Sequence, residues 1–396
     1  MYTVRLKKGK EKAVKQLHPW VFSGAIEQIS GKPENGDIIS VTDNHGGFLA
    51  YGFFNDQSRV AVRLLEWDEQ TAITEDWWRM RIRKAVLARK ALMADEDTNT
   101  YRLIFSEADF LPGLIVDRYA DYLSVQILTS GMERNSGVIL DELEQLLKPA
   151  GIFDRSDASA RSHEGMGPSS GGVLAGTAPP EFVAVKENGV LYDVNIASGQ
   201  KSGFYCDQRD NRRIVAEHSA GKNMLDCFSY SGGFSLNALK HNAASVTSVD
   251  SSALALETLK RNIEINKFQD AAHKLIQSDV NKQLRAFRES GEKFDVIVLD
   301  PPKYAPSRSA VNKASRAYKD LNRQAMHILE DGGLLATFSC SGAIDIASFK
   351  QIIAWAALDA GKEVQFIHQF SQPEDHPVRS SFPEGEYLKG LLCRVG

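Results

Sequence analysis

From about residue 183 the chain settles into a regular alternation that few folds can accommodate. The runs NMLDCF, ASVTSVD, HKLIQSD, FDVIVLD, GGLLATFSC and VQFIHQF are apolar and rich in β-branched residues, and they read as buried strands. Between them lie stretches of helical periodicity, among them LALETLKRNIEIN and KDLNRQAMHILED. Strands and helices alternating in this way form βαβ units, so an α/β fold with a mostly parallel sheet and helices on both faces is expected. In such an open sheet the carboxyl ends of the strands line one crevice, where ligands bind. The first four runs carry an acid at or near that end, namely Asp226, Asp250, Asp279 and Asp300, and these are expected to gather around one ligand.

The turn after the first run, FSYSGGF, narrows the choice of ligand because it bears only Gly232 and Gly233. A dinucleotide fold would show GxGxxG, whose glycines let the backbone approach a pyrophosphate, and a Walker A loop would continue into GK[ST]. A turn with looser demands suits a cofactor without pyrophosphate, such as S-adenosyl-L-methionine. Asp250 stands 17 residues past Gly233, placed to bond two ribose hydroxyls, and Asp279 is placed to accept from an adenine amino group. Phe228, Ser231 and Gly232 are expected at the methionine end, with Ser251 and Val280 flanking ribose and adenine. The fourth run ends LDPPKY, where two prolines cannot continue a strand ladder and hold Asp300 at the sheet edge.

A chain of 396 residues suits two or three domains. Up to about residue 70 it reads as a small β-barrel or curled sheet, with strand-like runs broken by DNHGG and NDQS. Residues 71–182 combine a helical stretch (75–95), a hairpin in LPGLIVDRYADYLSVQIL, an amphipathic helix in VILDELEQLLKP, and a Ser/Gly/Pro-rich segment (155–181) expected as a partly ordered loop. Four scattered cysteines form no disulfide framework or zinc motif. The absence of a signal-like start and of any 18-residue apolar run makes a cytoplasmic location the expectation. Net charge is only −4, yet three local groups are basic: residues 1–24, the stretch WWRMRIRKAVLARKAL, and Lys303, Arg308, Lys313, Arg316, Lys319 and Arg323. They fit either a polyanion partner or ordinary solvated helix faces.

The stretches HPWVFSGAI, LPGLIVDRY, FDRSD, CDQRDNRR, LDCFSYSGGFSLNAL, VDSSALALE, KFDVIVLDPPKY, GGLLATFSCSG and DHPVRSSFPEGEYLKGLLCRV together resemble the bacterial ribosomal RNA large subunit methyltransferase I family. The resemblance covers the whole chain. It implies a PUA RNA-binding domain (1–70), a central α/β domain (71–182), and a Rossmann-like S-adenosylmethionine-dependent methyltransferase domain (183–396) whose sheet ends in an antiparallel hairpin. It further implies 5-methylcytosine as the product, 23S rRNA or a large-subunit assembly intermediate as the partner, and no membrane. Gln208 and Arg209 in CDQRDNRR become cofactor neighbours. The oligomeric state is left open, a homodimer included.

By position alone Cys340, between two serines where an apolar run gives out, fits core packing as well as ligand chemistry. The resemblance makes it the nucleophile, with Asp300 recognising the base and serving as its acid/base partner. Cys227 then packs beside the cofactor, Cys206 either packs in a core or lines the cofactor mouth, Cys393 packs in a core, and His376 either structures its loop or takes a proton. Rival readings are methylation of a base amino group, which needs no cysteine, a dehydrogenase on a similar sheet, and a non-catalytic RNA-binding assembly factor.

Overall fold

A computed structural model describes residues 2–199, 203–305 and 307–396, with Arg308 described by its backbone alone. Two units make up the chain: Met1–Val185 with Val194–Cys206 and Glu374–Gly385, and Lys186–Asp193 with Asp207–Pro373 and Glu386–Gly396.

The first unit contains two sheets. Strands β1 (Tyr2–Leu6), β2 (Trp20–Phe22), β3 (Ile26–Ser30), β4 (Ile38–Thr42), β5 (Phe48–Phe54) and β6 (Val60–Glu66), with the short helix α1 (Lys12–Lys15), form a curled sheet of order β2-β6-β5-β4-β1-β3. In β1 and β4 the inward residues Val4, Leu6, Ile39 and Val41 alternate with half-buried ones as period-two patterning requires, while β6 departs from it, with Ala61 and Leu65 buried beside Val62 and Leu64. Next come α2 (Glu75–Leu87) and α3 (Lys90–Met93), so the helical stretch 75–95 breaks near Ala88. Thr74 caps α2, accepting from Trp77 N–H, with Glu75 and Asp76 in the first turn. A five-stranded sheet follows: β7 (Thr100–Phe105), β8 (Leu114–Tyr119), β9 (Tyr122–Ile127), β10 (Gly151–Asp154) and β11 (Gly172–Gly176), with α4 (Ser130–Arg134), α5 (Ser136–Leu147) and α6 (Ala158–His163).

Two sequence expectations change here. The segment 155–181 is more ordered than its composition suggests: it holds α6, capped by Asp157, and β11, which pairs antiparallel with β10. The arginines of the α2 group also find acids from elsewhere in the chain. Arg79 bonds Asp141 and Glu142 (2.6 and 3.0 Å), Arg83 bonds Glu142 (2.5 Å), Arg81 bonds Glu66 (2.8 Å) and Arg89 bonds Asp109 (2.7 Å). This group is mainly an internal ion-pair set joining α2 to its neighbours, so most of its charge is spent within the fold.

A two-stranded ladder, β12 (Val183–Glu187) with β13 (Val190–Val194), precedes the seven-stranded sheet of the second unit. That sheet comprises β14 (Asn223–Cys227), β15 (Ser245–Asp250), β16 (His273–Gln277), β17 (Phe294–Leu299), β18 (Leu329–Ser339), β19 (Val364–Ser371) and β20 (Lys389–Val395), in the order β16-β15-β14-β17-β18-β20-β19. The first five run parallel, and β20 lies antiparallel to both neighbours. Helices α7 (Arg209–Glu217), α8 (Gly233–Lys240), α9 (Ala253–Ile265), α10 (Val280–Ser290), α11 (Val311–His327) and α12 (Ile346–Ala360) connect them. Leu225, Ile297, Leu335, Tyr318, Phe349 and Ile353 share the core beneath α11 and α12.

Helix α11 starts at Val311, earlier than the predicted KDLNRQAMHILED, and β18 takes Leu329–Asp331 from that helix's expected end. Of the third basic group, Lys319 pairs with Asp359 and Arg323 with Asp320, while Lys303, Lys313 and Arg316 are exposed; the Arg308 side chain lies outside the described residues. Among the described residues no helix is long and apolar enough to cross a membrane.

Candidate active site

Strand order reverses between β14 and β17, and the loops leaving the carboxyl ends of β14, β15, β17 and β18 define a crevice there. On the β14–β15 side the shape comes from backbone conformation. Phe228 (φ 62°), Tyr230 (φ 48°) and Gly232 (φ 88°) are left-handed, alternating with Ser229 and Ser231. Non-glycine residues resist that conformation, so bonds must hold it. Phe228 and Ser229 N–H both donate to Val249 O (2.9 and 3.1 Å), Gly232 N–H donates to Ser229 O (2.8 Å), and Tyr230 N–H donates to Asp250 Oδ2 (2.9 Å). The buried Asn262 of α9 donates to Ser231 O (2.9 Å). A Cβ on Gly232 would collide with Leu259 Cδ1, so the glycine is needed for space as well as for φ.

Asp250 takes one backbone N–H on each oxygen, from Tyr230 and from Ser252 (2.9 Å each). A carboxylate has about four lone-pair sites, so acceptor capacity remains on both oxygens. Asp279 is exposed and caps α10 through Lys282 N–H (2.9 Å), while Val280 is buried and Ser251 exposed. Asp226, expected among the crevice acids, is instead almost fully buried. Its Oδ2 accepts from Ser235 N–H (3.0 Å) and Ser235 Oγ (2.6 Å), and burial, with Asp300 and Asp250 adding repulsion, pushes its carboxyl up to about 7.

Gln208 and Arg209 stand where a 3₁₀ turn meets α7, both buried. Gln208 Oε1 accepts from Asn211 (2.6 Å), and its Nε2 has no hydrogen-bond partner among the described residues. Arg209 Nε meets Asp210 (3.3 Å). Neighbouring Asp207 accepts from Tyr387 OH (2.7 Å), and Gln372 Oε1 accepts from Tyr387 N–H (3.2 Å), which ties this segment to the C-terminal one. A buried amide donor without a partner, residual acceptors on Asp250 and a turn cleared of Cβ at Gly232 fit S-adenosylmethionine.

The β17–β18 side is held by side chains. Asp300 follows β17 and is half-buried, Pro301 is buried, and Pro302 and Lys303 are exposed. Cys340 follows β18, half-buried, while Cys206, Cys227 and Cys393 are buried. Ser339 Oγ donates to Tyr318 OH (3.0 Å), Tyr318 OH meets Ser341 Oγ (3.2 Å), and Ala305 N–H donates to the same Ser341 Oγ (3.1 Å). The serines flanking the thiol therefore anchor its loop to α11 and to the loop after β17. Tyr304 packs on Tyr318 at 4.9 Å between ring centres. Lys389 Nζ donates to Ser341 O and Ile344 O (2.7 Å each).

Burial pushes the Cys227 thiol well up and Cys393 up to about 12, which leaves both poor nucleophiles. Cys206 packs 3.7 Å from Thr100 Oγ1 in the first unit, and His376 is buried there against Phe105. Sequence reasoning overlooked Tyr318, Asn262, Tyr387 and Lys389. A lysine at the start of a mostly apolar run, LKGLLCRV, and paired serines around a thiol were the available signals.

The chain matches the PUA-like domain family over residues 4–67 and the S-adenosylmethionine-dependent methyltransferase family over residues 116–393. It is 44% identical over 393 residues to the ribosomal RNA large subunit methyltransferase I of Aliivibrio fischeri, covering 99% of each chain. The protein of that name from Shewanella denitrificans is also 44% identical, with 99% of each chain covered. Among solved structures, an S-adenosylmethionine-dependent methyltransferase from Streptococcus mutans shares the fold over 100% of both chains (TM-score 0.85, 22% identity). So does a methyltransferase complexed with SAH, at TM-score 0.86, 22% identity and 100% of both chains.

Proposed function

The chain belongs to the ribosomal RNA large subunit methyltransferase I family of S-adenosylmethionine-dependent methyltransferases, and from that premise we propose that it methylates carbon 5 of a cytosine in 23S rRNA through a covalent Cys340 adduct. The observation that carries the reading is the anchored, half-buried thiol at the end of β18, on a loop that shares the Ser341 hydroxyl with the loop carrying Asp300.

S-adenosylmethionine supplies an electrophilic methyl group on a sulfonium. Gln208, Arg209, Phe228, Ser231, Gly232, Asp250, Ser251, Asp279, Val280 and Asp300 are proposed to surround it, with Asp250 accepting from ribose hydroxyls. Carbon 5 of cytosine is a poor nucleophile, so the Cys340 thiolate adds to carbon 6. A sulfur–carbon bond forms and the ring's electron pair is pushed toward carbon 5. Asp300 holds the amino group and ring nitrogen and, when protonated, donates a proton as the ring charges. Carbon 5 takes the methyl group as its bond to the sulfonium breaks and a neutral thioether leaves. A base then removes the carbon 5 proton, the sulfur–carbon bond to Cys340 breaks, the ring returns its proton to Asp300, and the thiolate is restored.

The target base must leave its stack to reach a thiol inside a crevice. The PUA-like residues and the exposed lysines near the N-terminus are proposed to hold rRNA by phosphate contacts, so affinity falls with salt. The test is incubation with labelled S-adenosylmethionine and unmethylated 23S rRNA, followed by nucleoside identification by mass spectrometry. 5-Methylcytosine supports the reading. Methylated adenine or guanine would move Asp300 to amino-group chemistry and leave Cys340 a packing residue.

A further inference from the structure

Lys389 opens β20 (KGLLCRV), and unlike the exposed Arg394 of that strand its side chain turns inward, only 4% exposed. A buried ammonium is costly unless its donors are met and its charge is balanced. Two of its three N–H donors go to carbonyls, Ser341 O and Ile344 O at 2.7 Å each. Both carbonyls belong to the loop that leads from Cys340 into α12, so one side chain grips that loop twice.

Carbonyls are neutral and do not balance the charge. Burial is the strongest influence on the Lys389 amine and pushes it down to about 8, while Cys340, Glu386 and Asp345 favour the ammonium and Lys303 opposes it; Cys340 also acts on the Tyr318 phenol, which burial pushes up. Asp345 is already engaged in capping α12 through Ser348 N–H (2.7 Å), and Glu386 is exposed. Cys340 is the strongest of these electrostatic influences and sits on the gripped loop itself. Electrostatic coupling is reciprocal: a thiolate that favours the ammonium is favoured by it to the same extent.

We propose that Lys389 is a positioning residue that holds the Cys340 loop by two carbonyls and keeps the thiol ionised for attack. The thiol proton leaves to solvent, the electron pair stays on sulfur, Lys389 keeps its three protons, and the pair is neutral overall. This rests on Cys340 as the attacking group, but its test reads ionisation alone.

The experiment follows iodoacetamide alkylation of Cys340 in the full-length protein from about pH 5 to about pH 10, by peptide mass spectrometry, beside Lys389→Met. Loss of a nearby opposite charge moves a thiol by roughly one unit or more, so alkylation at neutral pH should fall about ten-fold in the variant and its midpoint should rise. An unchanged midpoint with a lowered Tm would reduce Lys389 to a loop anchor and overturn the proposal. Should Lys389→Met not fold, the wild-type profile decides: a midpoint below that of free cysteine, about 8.5, supports the proposal, and one at or above it overturns it. Failure of the cytosine reading would show in the nucleoside assay and leave this profile untouched.

Discussion

On the β14–β15 side of the crevice, shape resides in the backbone: three left-handed residues alternate through 228–232, pinned by carbonyls, by Asp250 and by Asn262. On the β17–β18 side the described loop residues show no such turn and are held by side chains instead, with Tyr318, Ser339, Ser341 and Lys389 meeting around the segment that carries the thiol. A backbone-built site tolerates little change in its glycine and carboxylate and calls on few other side chains, Asn262 of α9 among them. A side-chain-built site spreads its requirements over α11, β18 and β20, and any one of those residues can loosen it.

The sharpest separation comes from Cys340→Ala. Methyl transfer should disappear, by at least about three orders of magnitude, because the covalent route is lost. S-adenosylmethionine affinity, measured by calorimetry, should stay nearly intact, and retained turnover would end the covalent mechanism. Gly232→Ala strikes the other side. The side chain is strained at φ 88° and meets Leu259, so stability should fall by about 1–3 kcal/mol, with cofactor affinity falling further than kcat at saturating cofactor. Equal loss of both would mean the two sides are not separable.

Ser341→Ala should do the reverse. It strips the acceptor from Ala305 N–H and a partner from Tyr318 in a buried place, costing about 1–3 kcal/mol on thermal unfolding. Turnover should drop roughly ten-fold, a cost typical of misplaced reacting groups, with cofactor affinity unchanged. The last effect is read through pH alone and belongs to Asp226. Folded, its carboxyl stays protonated up to about 7, whereas unfolded it ionises from 3.8, so its contribution is complete below 3.8 and is lost as pH rises toward 7. The slope is at most about 1.4 kcal/mol per pH unit. Asp226→Asn keeps an acceptor for Ser235, and its Tm should gain on wild type progressively between those two values. A constant difference would show that Asp226 is ionised in the folded chain.

The same contrast explains which parts of the fold and site are legible in the sequence. Alternating runs and acidic strand ends announced the parallel sheet, and Gly232 with Asp250 marked the turn, because such sites draw on residues close in sequence and of special conformational type. The Tyr318–Ser341–Ala305 junction joins three separate stretches through common residue types, and no local pattern distinguishes such a tyrosine or serine. Lys389 needed the antiparallel register of β20 on β18, which pairs it with Ser339. The α2 arginines misled for a related reason: their acids, Glu66, Asp109, Asp141 and Glu142, are spread over many residues and meet them only in the fold. Asp226 misled differently, since a carboxylate at a strand end looks alike whether it faces the crevice or the interior.

The Ser341 hydroxyl meets both Ala305 N–H and Tyr318 OH, so the strap after β17 and the strap after β18 are riveted at a single oxygen atom. Under the proposed chemistry, a base drawn between Asp300 and Cys340 would meet a gap gauged before any nucleic acid arrives. Binding energy would then not be needed to assemble the jaws and would remain for pulling the base from its stack. A larger, two-ring base would have to spread two straps together against a shared rivet, so fidelity toward a single-ring target would follow from stiffness as much as from hydrogen-bond matching.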